Sequence, residues 1–169
     1  MTYGRAAIGG LIGAGVMISE GNAVVKDNDI HDPAIEIAPK LTALVADRIK
    51  AMGTSTIAGR PAKQDDEASL SATVGKTGVI LDVETINWMF VYYPLDWSHY
   101  RITYVGRARL IDAASGKRIA QAPCMYQSDD KAPPTYDQML ADRAALLKTM
   151  FAAATDFCAA KMADGLYSH

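Results

Sequence analysis

Between Thr77 and Gln127 apolar and polar residues alternate along most of the chain, and turn residues interrupt the run twice, at Pro94-Leu95-Asp96-Trp97 and at Ala114-Ser115-Gly116-Lys117. A period of two sends successive side chains to opposite faces of a pleated strand, so this stretch predicts three consecutive antiparallel strands. The first hairpin also specifies its own register. In an antiparallel pair the numbers of facing residues add to a constant, and a turn centred between Leu95 and Asp96 makes that constant 191. Asp82 then faces Arg109 and Glu84 faces Arg107 on one side of the sheet, expected to be the solvent side. Leu81 faces Leu110 and Val83 faces Ala108 on the other. A slip of one residue would set Asp82 against an apolar neighbour and bury its charge, so this register is the favoured one. Past Thr85 the alternation blurs, with Ile86, Trp88, Phe90 and Tyr92 set against Asn87, Met89, Val91 and Tyr93. That predicts either a sheet covered on both faces or a β-bulge.

Helices flank this meander. Asp32-Pro33 opens the first: the Asp side chain accepts orphan N–H bonds, and Pro at the first helical position gives up an N–H that would be unpaired anyway. Ile37, Leu41, Leu44, Val45, Ile49 and Met52 follow at helical spacing as core candidates, and Gly53 ends the element. A short strand over Thr54–Ala58 and a short helix over Asp66–Thr73 are expected next, with a right-handed crossover setting Thr54–Ala58 parallel to the strand that begins at Val79. After the polar break Ser128–Pro134, Thr135 and Gln138 form a capping box. Tyr136, Met139, Leu140, Leu147, Met150, Phe151, Ala154, Phe157 and Cys158 then make one apolar stripe running to about Gly165. The expected fold is α+β: a two-layer sandwich with a mostly antiparallel sheet, a three-strand meander and helices packed on one face. Residues 1–31 read as an N-terminal apolar arm or helix, with the glycine-rich stretch Gly4–Ile18 too short to span a bilayer, and 32–169 as a single domain.

Half of the residues are hydrophobic and 21% are charged, which suits one globular domain with a sizeable core. The net charge of −2, with Lys and Arg scattered, leaves no stripe for a phosphate backbone, so nucleic acid is not an expected partner. His31, His99 and His169 lack the spacing of a metal site, and Gly9-Gly10-Leu11-Ile12-Gly13 has neither the preceding strand nor the following Lys-Ser/Thr of a phosphate loop. No nucleophile motif is present, and the carboxylate pairs Asp65-Asp66 and Asp129-Asp130 read as solvated turns. Catalytic, cofactor-binding and metal-ligating residues are therefore expected to be none.

Two features remain. Cys124, late in the third strand, and Cys158, on the core face of the last helix, meet if that helix crosses the sheet over the small residues Ala120 and Ala122. A disulfide there would imply an oxidising compartment, and the alternative is two buried thiols acting as small hydrophobes. The aromatic cluster Trp88, Phe90, Tyr92, Tyr93, Trp97 and Tyr100, with His99 beside it, crowds one end of the hairpin. Such residues either finish the core or form an exposed interaction patch.

The run LDVETINWMFVYYPLDWSHYRITYVGRARLIDAASGKRIAQAPC, followed by PTYDQMLADRAALLKTMFAAATDFC, resembles proteobacterial cell-envelope lipoproteins that are similar in fold to the auxiliary lipoproteins of lipid-transport ABC systems of the Pqi type. The resemblance covers roughly Asp32 to Cys158. It implies a signal peptide with a lipidated cysteine upstream of Met1, a periplasmic domain anchored to the membrane by that lipid, and a non-enzymatic accessory role. The implied partner is an envelope protein or lipid, in the setting of a transport complex. Two functions follow as expectations: an accessory protein that binds its partner through the aromatic hairpin end, or a small hydrolase or ligand-binding enzyme. A pocket with convergent titratable groups would favour the enzyme, and an exposed apolar patch the accessory protein.

Overall fold

The computed structural model describes residues 2–4, 21–51, 53–54, 67, 77–129 and 131–168. Its centre is a four-stranded sheet in the order β1-β2-β3-β4, formed by Thr2–Gly4, Val79–Tyr93, Asp96–Asp112 and Arg118–Gln127. Strands β2, β3 and β4 make the antiparallel meander, and β1 adds a parallel edge along Met89–Val91. Helix α1 covers residues 21–27, α2 is Pro33–Ile49 and α3 is Tyr136–Gly165. The fold is thus the expected α+β one. Val24 and Ile30 join the main core, so the described residues before Asp32 pack with the domain. Residues 55–58 of the expected Thr54–Ala58 strand, the Asp66–Thr73 helix apart from the helical Glu67, and Arg5–Ile18 lie outside the described residues.

The hairpin register is the one that charge pairing demands: Leu81↔Leu110, Asp82↔Arg109, Val83↔Ala108 and Glu84↔Arg107, each pair adding to 191. At Ile86 the constant steps up by one, with Thr85↔Gly106 followed by Asn87↔Val105. This is a β-bulge, where the alternation in the sequence blurs. Gly106 is opposite it because a Cβ there would collide with the Tyr104 hydroxyl and come within 2.9 Å of the Glu84 carbonyl oxygen.

One expectation is corrected. Asp82, Glu84 and Arg109 are buried, so the charged side of the β2–β3 ladder is not a solvent-facing one. Ile80, Ile111 and Ala113 form a second small cluster alongside them, and the Glu67 carboxylate approaches the Arg109 and Arg118 guanidinium groups from that side. Charge is tolerated there because each buried ion has a counter-ion at hydrogen-bonding distance across the strand pair.

On the opposite face α3 packs over β3 and β4, and α2 packs against α3. Pro33, Ile37, Leu41 and Val45, spaced by four, are the buried row of α2, while Leu44 and Ile49 are exposed and so are not the core residues their spacing suggested. That row is where α2 meets α3 and strand β2. Asp32 caps α2 through a 2.9 Å bond from the Ala34 N–H. Lys50, at φ 49°, ends it three residues before the expected Gly53. Ion pairs Lys40–Asp156 and Arg48–Asp164 (2.7 Å) tie the two helices together at their surface.

Helix α3 is not continuous. The expected capping box is present, with the Gln138 N–H donating to Thr135 Oγ1 (3.3 Å) and Gln138 Oε1 accepting from the Thr135 N–H (2.9 Å). Ala141 is then extended, and Asp142, Arg143 and Ala144 turn left-handed at φ 51°, 57° and 57° before the right-handed helix resumes. Left-handed backbone costs an L-residue roughly 1–2 kcal/mol. The sequence shows what offsets it: in an unbroken helix position 143 falls midway between Met139 and Leu147 on the apolar stripe, so Arg143 would be driven into the core. The break leaves Arg143 exposed and buries Ala144 in its place. Beyond it Leu147, Met150, Phe151, Ala154 and Cys158 are buried as expected, while Phe157 is exposed and its ring lies tilted against Tyr126 with centroids 5.4 Å apart.

Candidate functional site

The end of the β2–β3 hairpin is built by local turn chemistry. Tyr93 pairs with Asp96 across the Pro94-Leu95 connection. The Asp96 carboxylate accepts from the Ser98 N–H (3.2 Å) and hydroxyl (2.9 Å), and its other oxygen lies 2.6 Å from His99 Nδ1. The Ser98 hydroxyl first, and the His99 ring second, hold the Asp96 carboxyl below its ordinary pKa. The Trp97 indole N–H donates to the Pro94 carbonyl oxygen (3.2 Å), fixing the ring beside the turn.

This anchoring leaves apolar surface in water. Leu95 is 100% exposed and Trp97 67% exposed, with the Trp97 ring 5.9 Å from that of Tyr92. The Arg101 guanidinium covers Tyr93 at 5.2 Å. Not every residue of the expected patch belongs to it. Phe90 and Tyr100 are buried and join Tyr136 in a core trio with centroids about 6 Å apart. Trp88 sets its edge against Phe151 at 5.2 Å. The correction has a geometrical cause: Trp88, Phe90, Tyr100 and, in part, Tyr92 point to the helical side of the sheet, where α3 covers them. The surface patch is therefore Trp97 and Leu95, flanked by the partly buried Tyr92, Tyr93 and His99. The aromatic pattern did not include Leu95, although its place at the centre of the turn marks it.

Two polar arrangements and a disulfide lie elsewhere. Arg109 donates to one Asp82 carboxylate oxygen from Nε (2.9 Å) and Nη2 (2.7 Å), and Arg107 Nε donates to Glu84 (2.7 Å). Glu67 is 3.7 Å from Arg109 and 3.4 Å from Arg118. The charges of this ladder balance in pairs, which suits a structural role. At the bulge, the Thr85 hydroxyl donates to Asp32 and lies 3.2 Å from the Tyr104 hydroxyl, linking the start of α2 to the sheet. Burial, foremost, pushes the Tyr104 phenol up to about 12. Finally, Cys124 and Cys158 are joined at 1.99 Å between sulfurs and 5.6 Å between Cα atoms, within the range a disulfide needs. Gly165 on the same helix approaches β4 so closely that a Cβ would lie 2.9 Å from that of Ala122.

An open groove of about 340 Å³ runs along Ala132, Pro134, Gln138, Leu146 and Met150. A smaller one of about 110 Å³ has His31, Glu36, Lys148 and Thr155 in its wall. There the Thr155 hydroxyl donates back to the Phe151 carbonyl (3.0 Å), and the nearest carboxylate paired with His31 is Asp29 at 3.7 Å, both largely exposed. No cluster of His, Cys, Asp and Glu suited to a metal ion occurs among the described residues, and no described helix is long and apolar enough to cross a membrane.

Fold and site together define a disulfide-linked α+β domain with an exposed aromatic hairpin end. Comparison with family models, curated proteins and solved structures finds no match to the chain.

Proposed function

We propose that this domain is a non-enzymatic accessory protein of the cell envelope that binds a partner protein or lipid through its hairpin end. In this reading it works in the periplasm, held at the membrane by a lipid anchor outside this sequence and serving a transport complex. The observation that carries it is the pair Leu95 and Trp97, apolar side chains held in water at a turn whose own hydrogen bonds fix them there. Exposed apolar surface on a well-ordered element commonly marks an interaction site. The disulfide supports the compartment, since such bonds persist where thiols are oxidised.

Placing a photo-crosslinking amino acid at Leu95 or Trp97 in the native host tests this directly. Discrete protein or lipid adducts are expected from both positions, and none from Ile119, another exposed apolar residue near the opposite end of the hairpin. Equal labelling at all three would remove the hairpin end as the binding surface. Titration of unreduced, denatured protein from the same cells is expected to find no free thiol, and two thiols would remove the compartment.

A further inference from the structure

We infer that residues 141–144 of α3 are a two-state hinge. Their left-handed turn is one position of it, and a right-handed continuation of the helix is the other. Three consecutive non-glycine residues at positive φ are a local departure that persists only where the surroundings over-determine it. Here the surroundings are unequal on the two sides. Downstream, α3 is fastened by the bond from Cys158 to Cys124, by Lys40–Asp156 and Arg48–Asp164, and by the buried faces of Leu147, Ala154, Ala159 and Met162. Upstream stands a single helical turn, 136–140, held by its capping box, the bond from the Tyr100 N–H to the Pro134 carbonyl (2.8 Å), the buried Met139, the Tyr136 ring against Phe90 and Tyr100, and Leu140 at the edge of the core. The lighter side is the one free to move.

The balance between the two positions is set by Arg143. A right-handed path restores regular backbone but turns this guanidinium toward the stripe between Met139 and Leu147, and the left-handed path does the reverse. Neither position is favoured on both counts, which is the condition for a bistable element. The open groove shows what the motion would change. Ala132, Pro134 and Gln138 line it from the upstream side of the turn and Leu146 and Met150 from the downstream side, so the hinge sets its width.

Nuclear magnetic resonance on the intact oxidised protein tests the hinge. In the wild type, residues 142–144 are expected to show the strong intraresidue HN–Hα cross-peaks of positive φ, with microsecond-to-millisecond exchange confined to about 138–147. Asp142→Gly, which suits left-handed backbone and leaves Arg143 in place, is expected to quench that exchange. Arg143→Leu, which suits the apolar stripe, is expected to raise the right-handed population at least about tenfold and to abolish the positive-φ cross-peaks. Right-handed backbone at 142–144 in the wild type would overturn the inference. So would a left-handed turn with no exchange in the wild type and no response to Arg143→Leu. Both variants replace an exposed side chain, and the unchanged amide spectrum of β2–β4 reports that they remain folded.

Discussion

The two ends of the β2–β3 hairpin place their residues in opposite ways. At the end away from the turn, Asp82, Glu84 and Arg109 are buried. At the turn, Leu95 and Trp97 stand in water. The difference shows that burial follows what covers a surface and how its groups are paired, and not polarity residue by residue. Cross-strand pairing gives each ion of the ladder a counter-ion and hydrogen bonds, which offset the desolvation that covering demands. The turn satisfies its polar groups locally: Ser98 donates to Asp96, and the Trp97 indole N–H donates to the Pro94 carbonyl, which holds that ring at the surface.

The largest effect is expected at Arg109. Arg109→Ala leaves the Asp82 carboxylate buried without its main counter-ion and is expected to cost about 3–5 kcal/mol, read from the urea midpoint. Asp82→Leu combined with Arg109→Leu is expected to recover most of that loss. A loss under about 1 kcal/mol for Arg109→Ala would mean the ladder is wetter than its burial indicates.

The seam between the two ends responds to alkali. The Tyr104 phenol has a folded pKa of about 12 against the ordinary 10.0, so the fold favours its neutral form. Its contribution is complete below pH 10 and is lost as pH rises toward 12. Two units amount to about 2–3 kcal/mol. Tyr104→Phe is expected to cost about 1 kcal/mol at neutral pH through the lost hydroxyl contact with Thr85, and to flatten the fall in stability between pH 10 and 12. Parallel slopes for the two proteins across that window would show the phenol to be solvated.

The turn sharpens the contrast by its small effect. Trp97→Ala is expected to change stability by no more than about 0.5 kcal/mol, because the ring is mostly in water, while removing the crosslinks made there. A loss above about 1.5 kcal/mol would make Trp97 a packing residue and weaken its case as a contact surface.

The most legible parts of the fold were those governed by neighbours in sequence or by pairing arithmetic. Asp32 and Thr135 announced their helices because capping needs only the next three residues. The Asp82–Arg109 and Glu84–Arg107 pairs fixed the register because a one-residue slip would separate each charge from its counter-ion. The loss of alternation past Thr85 pointed to either two covered faces or a bulge, and the register shift between Thr85 and Asn87 is the bulge. The break in α3 also had a signal, the arginine between Met139 and Leu147, but the continuity of the stripe on either side masked it.

The candidate site was less legible, for a reason visible in single residues. Phe90 and Trp97 are both aromatic and both lie in the hairpin, yet Phe90 is covered by α3 and Trp97 is not. Which rings a helix reaches depends on where that helix crosses, and the crossing is set by Ala120, Ala122, Gly165 and the Cys124–Cys158 bond acting together. The burial of the charged ladder is likewise a matter of what lies over it, Glu67 included. The sequence by itself determined the three meander strands, the register of the first hairpin, the starts of α2 and α3 and the pairing of charges, since these rest on contacts between near neighbours or on the strict period of a strand. Only the tertiary structure decided which faces are covered, because coverage is a property of distant segments brought together by packing.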